Sequence, residues 1–252
     1  GATVIRLSGF FDVVEEGRKS GELPQEVFYL RFEGVDSKRG IITLNSARVY
    51  GVDGTDMWDI TRGDIESRKQ NRQLFEFVKK HIPGCQDAYV ISSSTNLGVR
   101  ETRRIRGEHL LTDEDMDGEK TYSTSIAKIH RYIRKGYKGH SPDGREGAPE
   151  DSEHHEMQTP LRWFEVPYGV LVPQKIDGLT VGGRIISQVH MADMWTRGQY
   201  ACMVTGQAAG AAAALSAITG TPPRKLDVAM LQKELIKQGV DIGAVGAEYA
   251  RA

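Results

Sequence analysis

The chain has 252 residues, enough for one large domain or two modest ones with a hydrophobic core. Apolar residues make up 39% and charged residues 27%, which indicates a globular, soluble chain rather than a disordered one. The formal net charge of −1 gives no reason to expect a nucleic-acid or membrane partner. Cys85 and Cys202 are too few and too far apart for a disulfide framework or a zinc site, which favours a reducing, cytoplasmic setting.

The first part of the chain alternates strand-like and helix-like runs. In chain order the pattern predicts a strand at 3–7, a helix at 12–20, strands at 27–32 and 40–44, a helix at 61–81 and a strand at 88–91. We assign Thr61 as the N-cap of the longer helix, with Asp64 as a weak capping-box partner.

The second half begins with a polar, arginine-rich stretch at 95–121. Residues 139–159 show no periodicity and are predicted to be a long surface loop. Strands are predicted at 168–172 and 179–181, and an amphipathic helix at 227–238 has Asp227 as its N-cap and Gly239 as its stop. These elements indicate an α+β or α/β fold, with a mixed sheet and packed helices.

The segment 200–218 is nearly uncharged and consists mostly of Ala and Gly. Because alanine is close to neutral on membrane-insertion scales, about 20 such residues make a poor membrane span. We predict a buried helix of a soluble protein.

Four arginines within seven residues form the first candidate site, and they are Arg100, Arg103, Arg104 and Arg106. Guanidinium groups suit carboxylates, phosphates or an electron-rich ring that carries negative charge. The alternative is a solvated strand in which Glu101 and Glu108 pair with the arginines. Charge alone favours the solvated strand.

Two glycine-containing segments form the next candidates. The strand at 179–181 ends in Gly182-Gly183-Arg184, where the backbone can approach a ligand closely. In the Ala/Gly helix, Gly206 and Gly210 lie one turn apart, and the helix N-terminus offers free N–H groups and a positive dipole end. Taken alone, each segment is more typical of plain structure than of a cofactor site.

Two segments contain residue types that can bind metals, but we do not interpret either of them as a metal site. His154 and His155 are adjacent, so on a strand they would point apart. The loop at 51–56 has two aspartates but neither the calcium-loop spacing nor its terminal Glu, and a turn is predicted there. No metal is expected.

Three segments taken in order carry a resemblance that none carries alone. They are GVRETRRIRGEHLLT at 98–112, VPYGVLVPQKIDGLTVGGRIIS at 166–187 and MVTGQAAGAAAAL at 203–215. Together they resemble the C-terminal portion of a family of bacterial FAD-dependent oxidoreductases, relatives of the glutathione-reductase-like flavoproteins. Residues 49–61 and 75–84 are similar to the middle region of that family.

The resemblance implies a discontinuous FAD domain, in which a βαβ unit holds the pyrophosphate and a later strand and helix return to the flavin. It places cofactor-binding residues at Gly183, Arg184, Cys202, Met203 and Gly206, and catalytic residues at Arg100, Arg104 and His140. Lys138 stands where family members often carry an Asp two residues before that histidine.

No G-x-G-x-x-G occurs in the sequence, so we interpret the chain as the C-terminal part of an oxidoreductase that transfers a hydride between a small organic substrate and FAD. Residues 1–160 would form a substrate or cap domain and 161–252 the returning part of the FAD domain. The isolated chain is expected to bind FAD weakly or not at all without an N-terminal FAD-binding segment or partner chain. The alternative is a non-catalytic binding module, whose Ala/Gly helix would dock a partner or a second copy.

Overall fold

The computed structural model describes residues 6–36, 38–117, 120–133 and 158–249. The chain divides into two compact units. Unit 1 consists of Gly1–Arg100 with His140–Glu153, and unit 2 of Glu101–Gly139 with His154–Ala252. Each contains helices and a small antiparallel sheet, which is the α+β class.

Unit 1 is built on a three-stranded antiparallel sheet. Its strands are β1 (Arg6–Gly9), β2 (Leu30–Asp36) and β3 (Ile41–Leu44), in the order β1-β2-β3. Phe32 on the central strand pairs with Leu7 on one side and Leu44 on the other. Helix α1 (Phe11–Lys19) joins β1 to β2. The predictions of a helix at 12–20 and a strand at 40–44 are therefore confirmed.

The long helix of unit 1, α2 (Met57–His81), begins four residues earlier than predicted. Asp56 is its N-cap, because its carboxylate accepts hydrogen bonds from the N–H groups of Trp58 and Asp59. Thr61 lies inside the helix, and its hydroxyl donates to the Met57 carbonyl at 2.9 Å. The assignment of Thr61 as N-cap was wrong because the better acceptor lies one turn upstream.

The predicted strand at 88–91 is absent, although these residues are described. The apolar side chains of Tyr89, Val90 and Ile91 are exposed. β propensity reflects packing on a pleated surface, and in the described part of the chain no strand pairs with this segment.

Unit 2 combines a two-stranded sheet with a group of helices. Strand β4 (Ser125–Ile133) pairs antiparallel with β5 (Gln158–Pro167), with Ile129 opposite Phe164. The helices are α3 (Asp113–Asp117), α4 (His190–Thr196), α5 (Gln199–Thr219), α6 (Val228–Lys237) and α7 (Ala244–Tyr249). The prediction of α6 with Asp227 as N-cap is confirmed. The predicted loop at 139–159 lies outside the described residues except for its last two, which open β5.

Two predicted strands of unit 2 are not strands. Residues Tyr168–Leu171 form a 3₁₀ turn directly after β5, closed by a bond from the Val172 N–H to the Gly169 carbonyl. Residues 179–181 run without a regular ladder, and the Val181 N–H bonds to the Leu171 carbonyl. Apolar β-branched runs predict burial here correctly, since Val170, Val172 and Val181 are buried, but not strand pairing.

Helix α5 contains the predicted Ala/Gly segment. Its inner face buries Ala201, Thr205, Ala208 and Ala212. An 18-residue window has a mean hydropathy of 1.4, and 28% of it is buried. By length and composition alone α5 could cross a membrane, a criterion that core helices of soluble proteins also meet. The expectation of a buried helix therefore holds for one face only.

Candidate functional site

The Gly182-Gly183 segment packs directly on helix α5. A Cβ on Gly182 would lie 2.7 Å from the Cα of Gly206, so only glycine permits this approach. The Gly183 N–H donates to the Thr205 hydroxyl at 3.0 Å, and Gly183 has φ +76°. A Cβ on Gly183 would lie 3.8 Å from the Cys202 sulfur. The structure therefore brings Gly183, Cys202 and Gly206 together.

The exposed surface at the first turns of α5 combines a glycine with larger side chains. Gly206 is exposed, and a Cβ there would meet nothing within 4 Å. Met203 is 73% exposed. Cys202 is half-buried; burial raises the pKa of its thiol, and the positive charge of nearby Arg184 opposes that shift. This face can accept a flat ligand against the helix backbone.

The arginine-rich segment is irregular rather than a strand. Arg100 is exposed and falls in unit 1, whereas Arg104 falls in unit 2. Arg104 forms an ion pair with Glu101, with Nη1 and Oε1 2.5 Å apart. Glu108 pairs instead with Arg224. The solvated-strand alternative predicted that Glu101 and Glu108 both pair with arginines of this segment. Glu101 does so, whereas Glu108 pairs with an arginine outside the segment.

An open depression of about 460 Å³ lies beside Arg104 in unit 2. Its polar lining includes Thr102, Arg106, Gln174 and Ser187. Two guanidinium groups and neutral hydrogen-bonding groups suit an anionic or strongly polar molecule.

Four donors surround the buried carboxylate of Asp115, which the sequence did not single out. They are the Thr112 N–H at 3.0 Å, Lys120 Nζ at 3.0 Å, the Tyr122 hydroxyl at 2.5 Å and His109 Nε2 at 3.2 Å. Burial alone would raise the pKa of Asp115, but these hydrogen bonds outweigh it and hold the pKa below its ordinary value. Burial and the Asp115 charge raise the pKa of Tyr122 to about 12.

A second charged cluster, which we call the α4 cluster, consists of Glu101, Arg104, His190 and Asp193. Glu101 Oε2 lies 2.5 Å from His190 Nδ1. Asp193 is 1% exposed, and burial together with the charge of Glu101 raises its pKa to about 6. Asp193 was missed; the His190-x-x-Asp193 spacing at the start of a helix was the available signal.

The predicted histidines and the aspartate-containing loop contribute nothing to the site among the described residues. His140 lies outside the described residues, as do His154 and His155. The 51–56 loop is a turn that caps α2, where Asp53 accepts from the N–H and hydroxyl of Thr55. Among the described residues no group of three or more His, Cys, Asp or Glu side chains could hold a metal ion.

A family model described as FAD dependent oxidoreductase matches residues 11–235, which is most of the chain. The chain belongs to this family of FAD-dependent oxidoreductases. No curated protein and no solved structure matches it. Family membership implies redox function with FAD, and the residues around α5 fit a flavin because Gly206 leaves the helix backbone open where Gly183 and Cys202 converge.

Proposed function

We propose that this member of the FAD-dependent oxidoreductase family supplies the flavin-facing segments of an enzyme that transfers a hydride between a small organic substrate and FAD. The observation that carries the proposal is the packing of Gly182 and Gly183 on the first turns of α5, next to an exposed glycine face. Gly183, Arg184, Cys202, Met203 and Gly206 would hold the flavin. Bound FAD would supply the two-electron chemistry.

The chain's own contribution would be electrostatic and steric. The N-terminal end of α5 carries partial positive charge, and Arg184 adds a full charge near Cys202. Positive charge at this face favours an electron-rich ligand. The depression beside Arg104 would take the substrate, and its guanidinium groups favour a substrate with a carboxylate or another anionic group.

The domain assignment is part of the same proposal. Residues 1–160 would be the substrate or cap domain and 161–252 the returning part of the FAD domain. This functional division differs from the packing division after Arg100, which groups the Arg104 segment with α5 in unit 2. Because no G-x-G-x-x-G is present, a separate dinucleotide-binding segment would complete the pyrophosphate site.

The test is a titration with FAD, alone and together with a dinucleotide-binding segment of the family, followed by absorbance. Gly206→Leu should weaken FAD binding by about tenfold or more, which is about 1.4 kcal/mol, because the side chain fills the open face. Ala217→Leu on the exposed surface three turns later is the matched control and should bind normally. Absence of a yellow complex even with the added segment, or equal binding by both variants, would contradict the proposal.

A second candidate function is a non-catalytic docking module. It is favoured by the exposed apolar side chains on α5, because Met203 is 73% and Ile218 81% exposed. A second copy or a partner chain would then cover this face. Light scattering distinguishes the two: a docking module should self-associate, or bind a partner, without FAD.

A further inference from the structure

The carboxylate of Glu101 contacts an arginine and a histidine at the same time. Its Oε1 lies 2.5 Å from Arg104 Nη1, and its Oε2 lies 2.5 Å from His190 Nδ1. The side chain of Glu101 is only 22% exposed, so solvent screens these contacts incompletely. Arg104 lines the open depression, whereas His190 is not part of that lining. One carboxylate therefore connects the wall of the depression to a histidine outside it.

The contact between Arg104 and Glu101 is close but poorly directed. Arg104 Nη1 is buried and has no hydrogen-bond partner among the described residues, although Glu101 Oε1 is near. A hydrogen bond requires the N–H to point at the acceptor, in addition to a short distance. The pair is therefore held by charge rather than by a directed hydrogen bond. An anion in the depression can compete with Glu101 for this guanidinium without breaking such a bond.

The positive charge of the depression depends on which cation Glu101 neutralises. Arg106 also lines the depression, and its guanidinium has no carboxylate partner in the described part of the chain. While Glu101 neutralises Arg104, the depression presents the charge of Arg106 alone. When a protonated His190 neutralises Glu101, both guanidinium groups are available to a bound anion.

The elements that pack against α4 carry further charged or titratable groups near His190. They are Asp193 and Arg197 on α4 and at its end, Arg184 in the 183–185 turn, Asp113, Glu114 and Asp115 on α3, and Cys202 on α5. Burial raises the pKa of the Cys202 thiol, which keeps it protonated near neutral pH. Burial and the charge of Glu101 raise the pKa of Asp193 to about 6, so this carboxyl group titrates in the range typical of histidine.

We propose that an anion bound at Arg104 and a proton bound at His190 favour each other through Glu101, which is thereby a positioning residue of the depression. Without the anion, Glu101 neutralises Arg104 and accepts the Nδ1 proton of a neutral His190 ring. When an anion takes the guanidinium, a proton adds at His190 Nε2, which has no hydrogen-bond partner among the described residues. The imidazolium then neutralises Glu101. A monoanion brings one negative charge and the proton one positive charge, so the net charge of the site is unchanged.

This inference rests on the proposed function in one respect, because it takes the depression as the substrate site. It adds that the substrate binds as an anion together with one proton, and therefore more tightly at low pH. The coupling is reciprocal, since a bound anion must favour the protonated ring as much as the protonated ring favours the anion. Both directions can be measured without FAD.

The test measures binding of methanesulfonate, a monoanion throughout the pH range used, to the full chain at constant ionic strength. Carbon-13 shifts of the guanidinium carbons report binding at Arg104 and Arg106. All samples carry Asp193→Asn, which removes a second group that titrates in the same range. We expect the affinity to be about fivefold higher at about pH 5.5 than at about pH 8, where histidine is neutral. Equal affinity at the two pH values would overturn the proposal.

Two substitutions distinguish the coupling from a general effect of pH. His190→Gln removes the titrating ring, so the affinity should keep its high-pH value at both pH values. Glu101→Gln removes the competitor for Arg104, so the affinity at pH 8 should rise by about fivefold. If Glu101 only holds Arg104 in place, Glu101→Gln should instead weaken binding at both pH values, and that result would contradict the proposal.

The matched control is His81→Gln, which removes a histidine that pairs with Glu22 in unit 1. It should leave both affinities unchanged. A pH dependence that persists in His190→Gln, or disappears in His81→Gln, would assign the effect to groups other than His190 and overturn the proposal.

The converse measurement needs no substitution at Glu101 or His190. Nitrogen-15 shifts of the His190 ring are followed as pH is varied, with and without saturating methanesulfonate. A fivefold coupling should raise the midpoint of the His190 transition by about 0.7 pH unit. An unchanged midpoint, while the arginine carbons report bound anion, would refute the coupling. Absence of anion binding at every pH would overturn both this inference and the assignment of the depression, whereas FAD titration tests the flavin face independently.

Discussion

Two buried aspartates of unit 2 respond to burial in opposite ways. Asp115 is 4% exposed and accepts hydrogen bonds from four donors, and its pKa falls below the ordinary value. Asp193 is 1% exposed and has one neutral donor, and its pKa rises to about 6. Burial disfavours the charge in both cases, so the number and charge of the partners decide which form is stable. Hydrogen bonding therefore stabilises the charged form of Asp115, whereas burial favours the neutral form of Asp193.

Tryptophan fluorescence can report the unfolding of unit 2 alone once Trp58 is replaced. Trp163 and Trp195 lie in unit 2, whereas Trp58 lies in unit 1 and is 83% exposed. Replacing Trp58 by Phe should cost little stability and leave tryptophan fluorescence as a signal from unit 2. The variants below are placed in that background, and urea unfolding gives the free energy of unfolding.

The largest effect is expected for Asp115→Asn. Lys120 and Tyr122 donate to one carboxylate oxygen of Asp115, and the Thr112 N–H and His109 to the other. The NH₂ of the amide would face one of these two pairs of donors, and that pair would lose its acceptor. We expect the free energy of unfolding to fall by about 3–5 kcal/mol. The exposed neighbour Glu114→Gln should change it by less than about 0.5 kcal/mol. A loss for Asp115→Asn as small as that of the control would show that the four hydrogen bonds do not stabilise the fold.

The pH dependence of the free energy of unfolding should also report the contribution of ionised Asp115. Because the folded pKa of Asp115 lies below the unfolded value, its contribution is complete above the unfolded pKa of about 4 and is lost as pH falls through the folded pKa. Between these two pKa values, the free energy of unfolding should change by about 1.4 kcal/mol per pH unit. Urea unfolding is measured at pH 6 and at pH 3. The difference in free energy of unfolding between the parent protein and Asp115→Asn should be smaller at pH 3 than at pH 6. A gap that is constant with pH would count against a charged Asp115.

Asp193→Asn should act in the opposite direction. Because the pKa of Asp193 is higher in the folded than in the unfolded chain, the free energy of unfolding falls as pH rises from about 4 to about 6. Above that range the destabilisation by the charged carboxylate stays constant. Asparagine is neutral and can keep the bond from Gln188, so we expect a gain of about 1–3 kcal/mol at pH 8 that disappears near pH 4. Destabilisation by Asp193→Asn at pH 8 would mean that the carboxylate is fully compensated in the folded state.

The smallest effect is the coupling between Glu101 and Asp193. A double-mutant cycle at pH 8 with Glu101→Gln should show that the gain from Asp193→Asn shrinks when Glu101 is already neutral. The expected coupling is about 0.5–1.5 kcal/mol, because the two carboxylates repel each other in a partly desolvated cluster. Additive free energies would place Glu101 too far from Asp193 to influence it.

Local sequence signals predicted α1, β3 and α6 because each has a clear cap, stop or apolar pattern of its own. The strand predicted at 88–91 failed because β propensity does not specify a partner. Strand β4 was missed although Ile126 and Ile129 are β-branched and buried, because Ala127 and Lys128 between them interrupt the alternation of apolar and polar residues. Elements that depend on distant pairing were the least predictable.

Some residues of the candidate site could be predicted from the sequence, and others could be found only in the folded structure. Resemblance to the flavoprotein family led to Gly183, Cys202 and Gly206, which the structure brings together. The His190-x-x-Asp193 spacing alone does not reveal the environment of Asp193, because Glu101 is distant in the chain. Glu101 and His190 are 89 residues apart and meet only in the folded unit. Burial and contact, not residue type, distinguish it from the other aspartates.

The most direct measurement of where FAD binds uses the two cysteines of the chain. Cys202 lies at the start of α5, and Cys85 lies in unit 1 as an internal control. Alkylation of both thiols is followed by mass spectrometry with and without FAD, under conditions in which absorbance shows bound flavin. We predict that bound FAD slows modification of Cys202 in proportion to its occupancy and leaves Cys85 unchanged. Equal rates at Cys202 with and without bound flavin would contradict the placement of the flavin at the first turns of α5.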